Sequence, residues 1–386
     1  MIYYKSMKSY MNILGINPYQ DKRAGIALQS TAMFLCVSVM SPMFLKIYVA
    51  QREKDFDGVM QVLPNIIAQT GALVKVMNIR INKANFRKLF DLMVRRWKLL
   101  EAKDEIEILK KYTSKGMRLR ELYKDSLWIV LLVYMSFPLI NPVLDVVAPL
   151  NETRPRRLLL PVSYIFIDEY EHFYSVNFHL YTSVISCGMM IIAVDMLYIT
   201  IIFHLCGLFA VCGHRIQVTT EMNIVNKDET KKSEAGYKQF KQCVTMHHEA
   251  LQSVSKVSQY CQILERSSQH MYLIQVGLSV FIISVTAAAC IMNIDRPDEL
   301  IRLAMFVVAQ KFHLLILSLP GQMLLDHSLG LADIIYASKW YELPVKGQKL
   351  IYTMQMRSIR PCILTAGGVH EMNIESFGIV CNNMIN

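Results

Sequence analysis

Apolar residues along this 386-residue chain gather into seven blocks separated by charged segments. Each block approaches or exceeds the roughly 20 residues that a helix needs to cross a bilayer. The first is Ile26–Val49, with Lys46 near its end. The second, Val59–Ile81, is interrupted by Pro64 and Gly71 and carries Lys75. The third, Ser126–Leu150, contains Pro138 and Pro142. The fourth, Val176–Cys212, is too long for one simple span. The fifth and sixth are Met271–Ile294 and Ile301–Leu325, and the seventh, Gly367–Asn386, is short and only partly apolar. Proline and glycine are tolerated inside such helices because neighbouring helices can satisfy the freed backbone groups. The pattern therefore predicts an all-α membrane protein with seven transmembrane helices. Its layout is a six-helix region over 1–325, followed by inner helices and a seventh span over 326–386.

Composition agrees. Hydrophobic residues make up 53% of the chain and charged residues 19%, where a soluble domain carries about 25% charged residues. Mean hydropathy is +0.29. The 24 Met, 16 Phe and 19 Tyr residues suit helix packing and an adaptable apolar pocket. Lipid-facing bulk accounts for most of them equally well. The nine cysteines show no CxxC and no paired spacing, so free thiols are expected rather than a disulfide framework. The segment before the first block is polar and basic and lacks a compact apolar run, so that block reads as an uncleaved anchor.

Charge then orients the blocks. Segments 1–25, 81–125, 213–267 and 326–362 hold 30 Lys and Arg residues, against 6 in segments 50–58, 151–175 and 293–301. Positive charge favours the cytoplasmic side, which predicts a cytoplasmic N-terminus and an extracellular C-terminus. The basic segments also carry acids, including Asp91, Glu101, Asp104 and Glu121, so they do not read as nucleic-acid sites. The sequon Asn151-Glu152-Thr153 falls in an outer segment, where glycosylation of Asn151 would be possible.

No catalytic constellation is visible: HExxH, a Walker A loop, a post-strand GxGxxG and GxSxG are all missing. His247-His248-Glu249 is a cluster within a basic segment, not a metal motif. No enzyme, metal or cofactor is expected. Asp195 stands in the middle of the fourth block, where a carboxylate marks either a functional site or a hydrogen-bonding partner for a neighbouring helix. Asp145 and Lys311 lie nearer block ends, where snorkelling is available.

Several short motifs, in order, resemble the insect odorant receptors. Leu14-Gly15-Ile16-Asn17-Pro18-Tyr19 is similar to the LG(I/L)WP entry before that family's first helix, with Asn17 in place of Trp. Gly321-Gln322, Asp326 and Ser328 resemble the end of its sixth helix. Tyr336, Trp340 and Pro344 resemble the following inner helix. Arg357, Pro361, Thr365 and Gly367 resemble the link into the seventh helix, within which Phe377 sits. The TYhhhhhQF pattern of the related gustatory receptors (h, apolar) is not found between Gly367 and Asn386, which favours the odorant branch.

The resemblance implies the tuning subunit of a ligand-gated, non-selective cation channel. It implies a heterotetramer with the odorant co-receptor in the plasma membrane of olfactory sensory neurons. It also implies contact with membrane lipid and a small hydrophobic odorant, volatile or hydrocarbon, bound in the outer half. On depth, the candidate ligand residues are Tyr134, Met135 and Phe137 in the third helix, Phe178, Tyr181 and Ile185 in the fourth, and Met305 and Phe306 in the sixth. Compared with the family pattern, the seventh helix is about two turns short beyond Phe377. A shortened but competent pore helix, a truncated family member and a non-conducting subunit all fit that feature. A G-protein-coupled receptor would place the N-terminus outside, against the charge bias. A transporter would show an inverted repeat, and none is visible between the halves.

Overall fold

In the computed structural model four of the first six blocks lie wholly inside a helix, the third and fifth run a few residues past the end of theirs, and most helices extend well beyond their block. The structure describes residues 4–149, 154–225, 234–343 and 345–383. Asn151 and Pro344, and the side chains of His247, His248 and Glu249, lie outside what is described. The helices are α1 (Lys5–Ile13), α2 (Lys22–Arg52), α3 (Phe56–Ile81), α4 (Lys83–Leu99), α5 (Lys103–Val147), α6 (Phe173–Val225), α7 (Glu234–Met292), α8 (Pro297–Ala337) and α9 (Val345–Ser358). A short hairpin, β1 (Thr365–Ala366) and β2 (His370–Glu371), precedes α10 (Ile374–Asn383).

Capping sets the starts of the first two long helices. The Asp21 carboxylate accepts from the Arg23 and Ala24 amides at 3.0 Å each, and Asp55 accepts from the Gly58 amide at 3.0 Å. Among the described residues, six helices (α2, α3, α5, α6, α7 and α8) are long and apolar enough to cross a membrane. At 1.5 Å per residue, α5, α6 and α7 reach roughly 65–90 Å, well beyond a hydrocarbon core of about 30 Å. Their polar ends therefore project past the bilayer, and this accounts for the excess length of the fourth block.

Helix α6 is the axis of the bundle. It packs against α1, α2, α3, α4, α5, α7 and α8. The most apolar stretch of α6 is 89% buried, whereas that of α5 is 6% buried, which separates a central helix from a peripheral one facing lipid. The segments richest in Lys and Arg meet at one end. There Trp97 Nε1 donates to Tyr4 Oη at 2.9 Å, and Trp128 Nε1 donates to Tyr10 Oη at 2.8 Å. Arg215 forks onto both oxygens of Glu105 at 2.6 and 2.7 Å. At the opposite end Asp57 accepts from Asn293 Nδ2 at 2.5 Å, and Arg154 Nη1 pairs with Asp145 at 2.8 Å. The eight cysteines that the structure describes are free thiols.

The seventh segment differs from the sequence expectation. The chain does not enter a helix at Gly367. Gly367 and Gly368 have φ of +67° and +76°, outside the right-handed helical region. Two consecutive residues of positive φ suit a hairpin turn, and the Val369 amide closes it onto the Ala366 carbonyl at 3.3 Å. The helix begins only at Ile374.

The centre of the bundle holds buried charge. Lys75 of α3 is 0% exposed and Asp195 of α6 is 1% exposed. Lys75 Nζ donates to both Asp195 oxygens at 2.5 and 2.7 Å and to His313 Nε2 of α8 at 2.8 Å. Tyr123 of α5 donates to Asp195 Oδ2 at 2.5 Å. Removing one member of a buried pair leaves an uncompensated charge, at a cost of about 3–5 kcal/mol. Lys75→Met and Asp195→Leu should each sharply lower the detergent unfolding temperature and the folded yield. The double variant should recover part of the loss. Additive losses in the double variant would show that the two charges do not act as a pair.

Candidate functional site

One face from each of five helices lines a cavity of about 160 Å³ beside the buried ion pair. Its lining residues recur at helical spacing. Asn65, Gln69 and Ala72 come from α3, and Leu127, Leu131 and Tyr134 from α5. Val184, Cys187 and Ile191 come from α6. Gln275 and Ser279 come from α7, and Met305, Ala309 and His313 from α8. Steps of three and four residues keep one side of each helix on the cavity. The wall is mostly apolar, with amides, the Tyr134 and Ser279 hydroxyls and one imidazole as its polar points. That arrangement holds a small ligand by burial and fixes it by a few polar contacts.

Three sequence-selected residues line this space: Tyr134, Met305 and Phe306. The Tyr134 hydroxyl lies 3.4 Å from Asn65 Oδ1 and 3.4 Å from the Leu159 carbonyl, at the outer rim. The other five lie elsewhere. Met135 and Tyr181 pack against a second apolar cluster built around Val39, Met43 and Leu160, and Tyr181 donates to the Met135 carbonyl at 2.9 Å. Phe137 borders a separate groove with Asn141 and Arg302. Phe178 is 72% exposed and Ile185 36% exposed on the outer side of α6. Along α6 the cavity takes 184, 187 and 191, whereas 178, 181 and 185 do not line it. Gln69, Cys187, Gln275 and His313 were missed. The signal available for Gln69 and His313 was a polar residue inside an apolar block, the same signal that singled out Asp195.

A second constellation gathers most of the late motifs. The Gly367 amide donates to the Gln269 carbonyl of α7 at 2.9 Å, and Thr365 Oγ1 donates to Glu265 at 2.9 Å. Arg357 Nη2 donates to Ser258 at 2.7 Å, and the Cys362 amide to Ser328 Oγ at 2.9 Å. Gln322 bridges the chain by donating to Asp326 at 2.7 Å and accepting from the Ile374 amide at 3.3 Å. Gly321 has a steric reason to be glycine, because a Cβ there would sit 1.8 Å from the Met372 carbonyl oxygen. Pro361, in the link before the hairpin, and Phe377, in α10, are half-buried, and Trp340 packs on the main core. Tyr336 is 70% exposed.

This is the architecture of a multi-pass helical membrane protein with a cavity inside the bundle. Residues 55–385 match the family described as 7tm Odorant receptor, and the chain belongs to that family of insect odorant receptors. It is 23% identical over 361 residues to odorant receptor Or2 of Anopheles gambiae, covering 88% of this chain and 85% of that one. A 73-residue stretch is 36% identical to odorant receptor 49a of Drosophila melanogaster, covering 19% of this chain and 18% of that one. Among solved structures, the fold resembles the olfactory receptor OR5 of Machilis hrabei in complex with eugenol, with a TM-score of 0.74. The structure of OR5 described without eugenol gives 0.75. Each superposition covers 100% of this chain and 96% of the other at 12% identity, a likeness of fold alone.

Gly321→Ala should lower the unfolding temperature, because the backbone of Met372 cannot withdraw as a side chain would; overpacking costs about 1–3 kcal/mol. Gly330→Ala on the same helix meets nothing within 4 Å and should be neutral or stabilising by up to about 1 kcal/mol. Equal effects at the two sites would show that the Met372 contact does not constrain α8.

Proposed function

We propose that this chain is the odorant-recognising subunit of a ligand-gated, non-selective cation channel. It works with the odorant co-receptor in the plasma membrane of olfactory sensory neurons. The observation that carries the reading is the mostly apolar cavity walled by five helices in a chain of the odorant receptor family. The related fold of OR5 was solved in complex with eugenol, and a comparable small molecule suits the present cavity. Its volume of about 160 Å³ is close to the roughly 150 Å³ of an apolar protein cavity that binds benzene. A small volatile therefore fits better than a long hydrocarbon. A volatile offers few hydrogen bonds, so apolar burial at about 25 cal/mol per Å² provides most of its affinity.

The constellation around Gly321, Gln322, Ser328, Thr365 and Gly367 serves as the anchor that joins the inner ends of α7 and α8 to α10. The 326–386 region is accordingly read as the anchor and pore-proximal part of the chain. The basic end of the bundle faces the cytoplasm, by the excess of Lys and Arg there. An epitope tag placed at Met1 should stain only after permeabilisation; labelling of intact cells would reverse the orientation.

Co-expression with the co-receptor in oocytes, with currents recorded against small volatiles, tests the channel reading. Ala309→Phe fills the cavity and should weaken the response at least about tenfold, roughly one buried side chain's worth of lost contact. Phe178→Ala, on the lipid-facing side of α6, should leave the dose–response curve in place. Equal responses from the two variants would remove the cavity as the ligand site.

A further inference from the structure

We propose that the cavity selects a small neutral molecule with a single hydroxyl on an apolar body, an alcohol or phenol, whose hydroxyl donates to Gln69 Oε1. The proposal rests on the reading of this cavity as the ligand site. Gln69 is 3% exposed and lines the cavity from α3. Its Nε2 points at Met43 Sδ at 4.0 Å. Its Oε1 is buried with no hydrogen-bond partner among the described residues. Turning the amide over would not satisfy it, because the oxygen would then face the lone pairs of a thioether, itself only an acceptor. An unpaired buried acceptor is a standing cost that a ligand's donor can relieve.

Of the neighbouring polar groups, Gln275 and His313 are already engaged. Gln275 Nε2 donates to the Gly71 carbonyl at 2.8 Å. His313 Nε2 accepts from Lys75, which holds it as the lone-pair nitrogen. Lys75 has three donors, and they go to the two Asp195 oxygens and to His313. Beside the cavity the two charges cancel, and no Lys, Arg, Asp or Glu lines it. A charged ligand would be buried without a counter-ion, which is strongly unfavourable. That excludes carboxylates and protonated amines. Ketones, ethers and esters offer acceptors alone and leave Oε1 unpaired. A hydroxyl is the neutral group that donates well and keeps the molecule small.

The test pairs ligands of equal heavy-atom count that differ by the donor: 2-alkanols of five to eight carbons against the 2-alkanones, and 1-phenylethanol against acetophenone. Binding is read as the shift in unfolding temperature of the purified full chain in lipid nanodiscs. Gating is read as current with the co-receptor. In the wild type, alcohols should half-saturate at concentrations at least about tenfold lower than the matched ketones, as expected for one buried hydrogen bond. Gln69→Met keeps the volume and removes the acceptor, and it should bring each pair within about threefold. Ser279→Ala should retain the preference. Ketones equal to alcohols in the wild type, or a preference that survives in Gln69→Met, would overturn the proposal; so would the absence of any alcohol-induced shift. The wild-type comparison decides the matter by itself if Gln69→Met does not fold. Alcohol-selective stabilisation without current would count against the channel reading and leave this one standing. Current without alcohol preference would do the reverse.

Discussion

Hydrocarbon solvates neither a charge nor an open backbone group, and the centre of this bundle is arranged around that constraint. Lys75 and Asp195 are fully removed from water and are tolerable only together. Tyr123 donates a further hydrogen bond to the carboxylate, and His313 accepts the third donor of Lys75. Four helices, α3, α5, α6 and α8, each contribute one member, and the same four wall the cavity with α7. A shift of one helix by a single turn would separate the charges by about 5.4 Å. The network therefore fixes the depth at which the four helices stand relative to one another. A buried ion pair is weak evidence for stability, but it is a good register device. His313 belongs to both assemblies, so one wall of the cavity is set by the pair beside it.

Much of this architecture was legible from the chain. The six long spans follow from apolar length, and the basic segments that share an end follow from charge. Asp195 was recognisable as exceptional because a carboxylate in an apolar block has few explanations. Its partner was not legible: Lys75 lies 120 residues earlier, and one sequence carries no signal for a contact at that separation. The cavity was half legible for a related reason. Depth along a helix follows from residue number, but the face that turns inward depends on which neighbours pack there. Along one stretch of α6, 184, 187 and 191 face the cavity while 178 and 185 face outward. On a helix surrounded by apolar partners, hydrophobicity varies too little around the circumference to mark the face.

The hairpin shows a different limit. Residues from Gly367 onward have the composition of a short apolar helix, yet paired glycines at positive φ hold a turn there. What stabilises the turn is tertiary: the Gly367 amide reaches α7, and the Met372 amide pairs with the Leu364 carbonyl at 2.8 Å. Glycine at 321 is required by the same packing, since Met372 passes directly over it. Local propensity in this stretch is weak enough that the contacts to α7 and α8 decide its conformation.

Cavity and hairpin are joined through one element. Helix α8 runs unbroken from Pro297 to Ala337. It presents Met305, Ala309 and His313 to the cavity and, eight residues beyond His313, presents Gly321 to the hairpin. At 1.5 Å per residue that is about 12 Å of continuous helix. Between them stands Pro320, which cannot donate to the carbonyl four residues earlier. The helix is weakest at the point separating its cavity-facing half from its hairpin-facing half. Rotation or tilt of the first half is constrained by His313 in the ion-pair network. Movement of the second half is constrained by Gly321 under Met372 and by Gln322 on the Ile374 amide. Any displacement of the first half must alter one of those two sets of contacts. Both are built from short polar bonds and close backbone approach, not from deformable apolar packing.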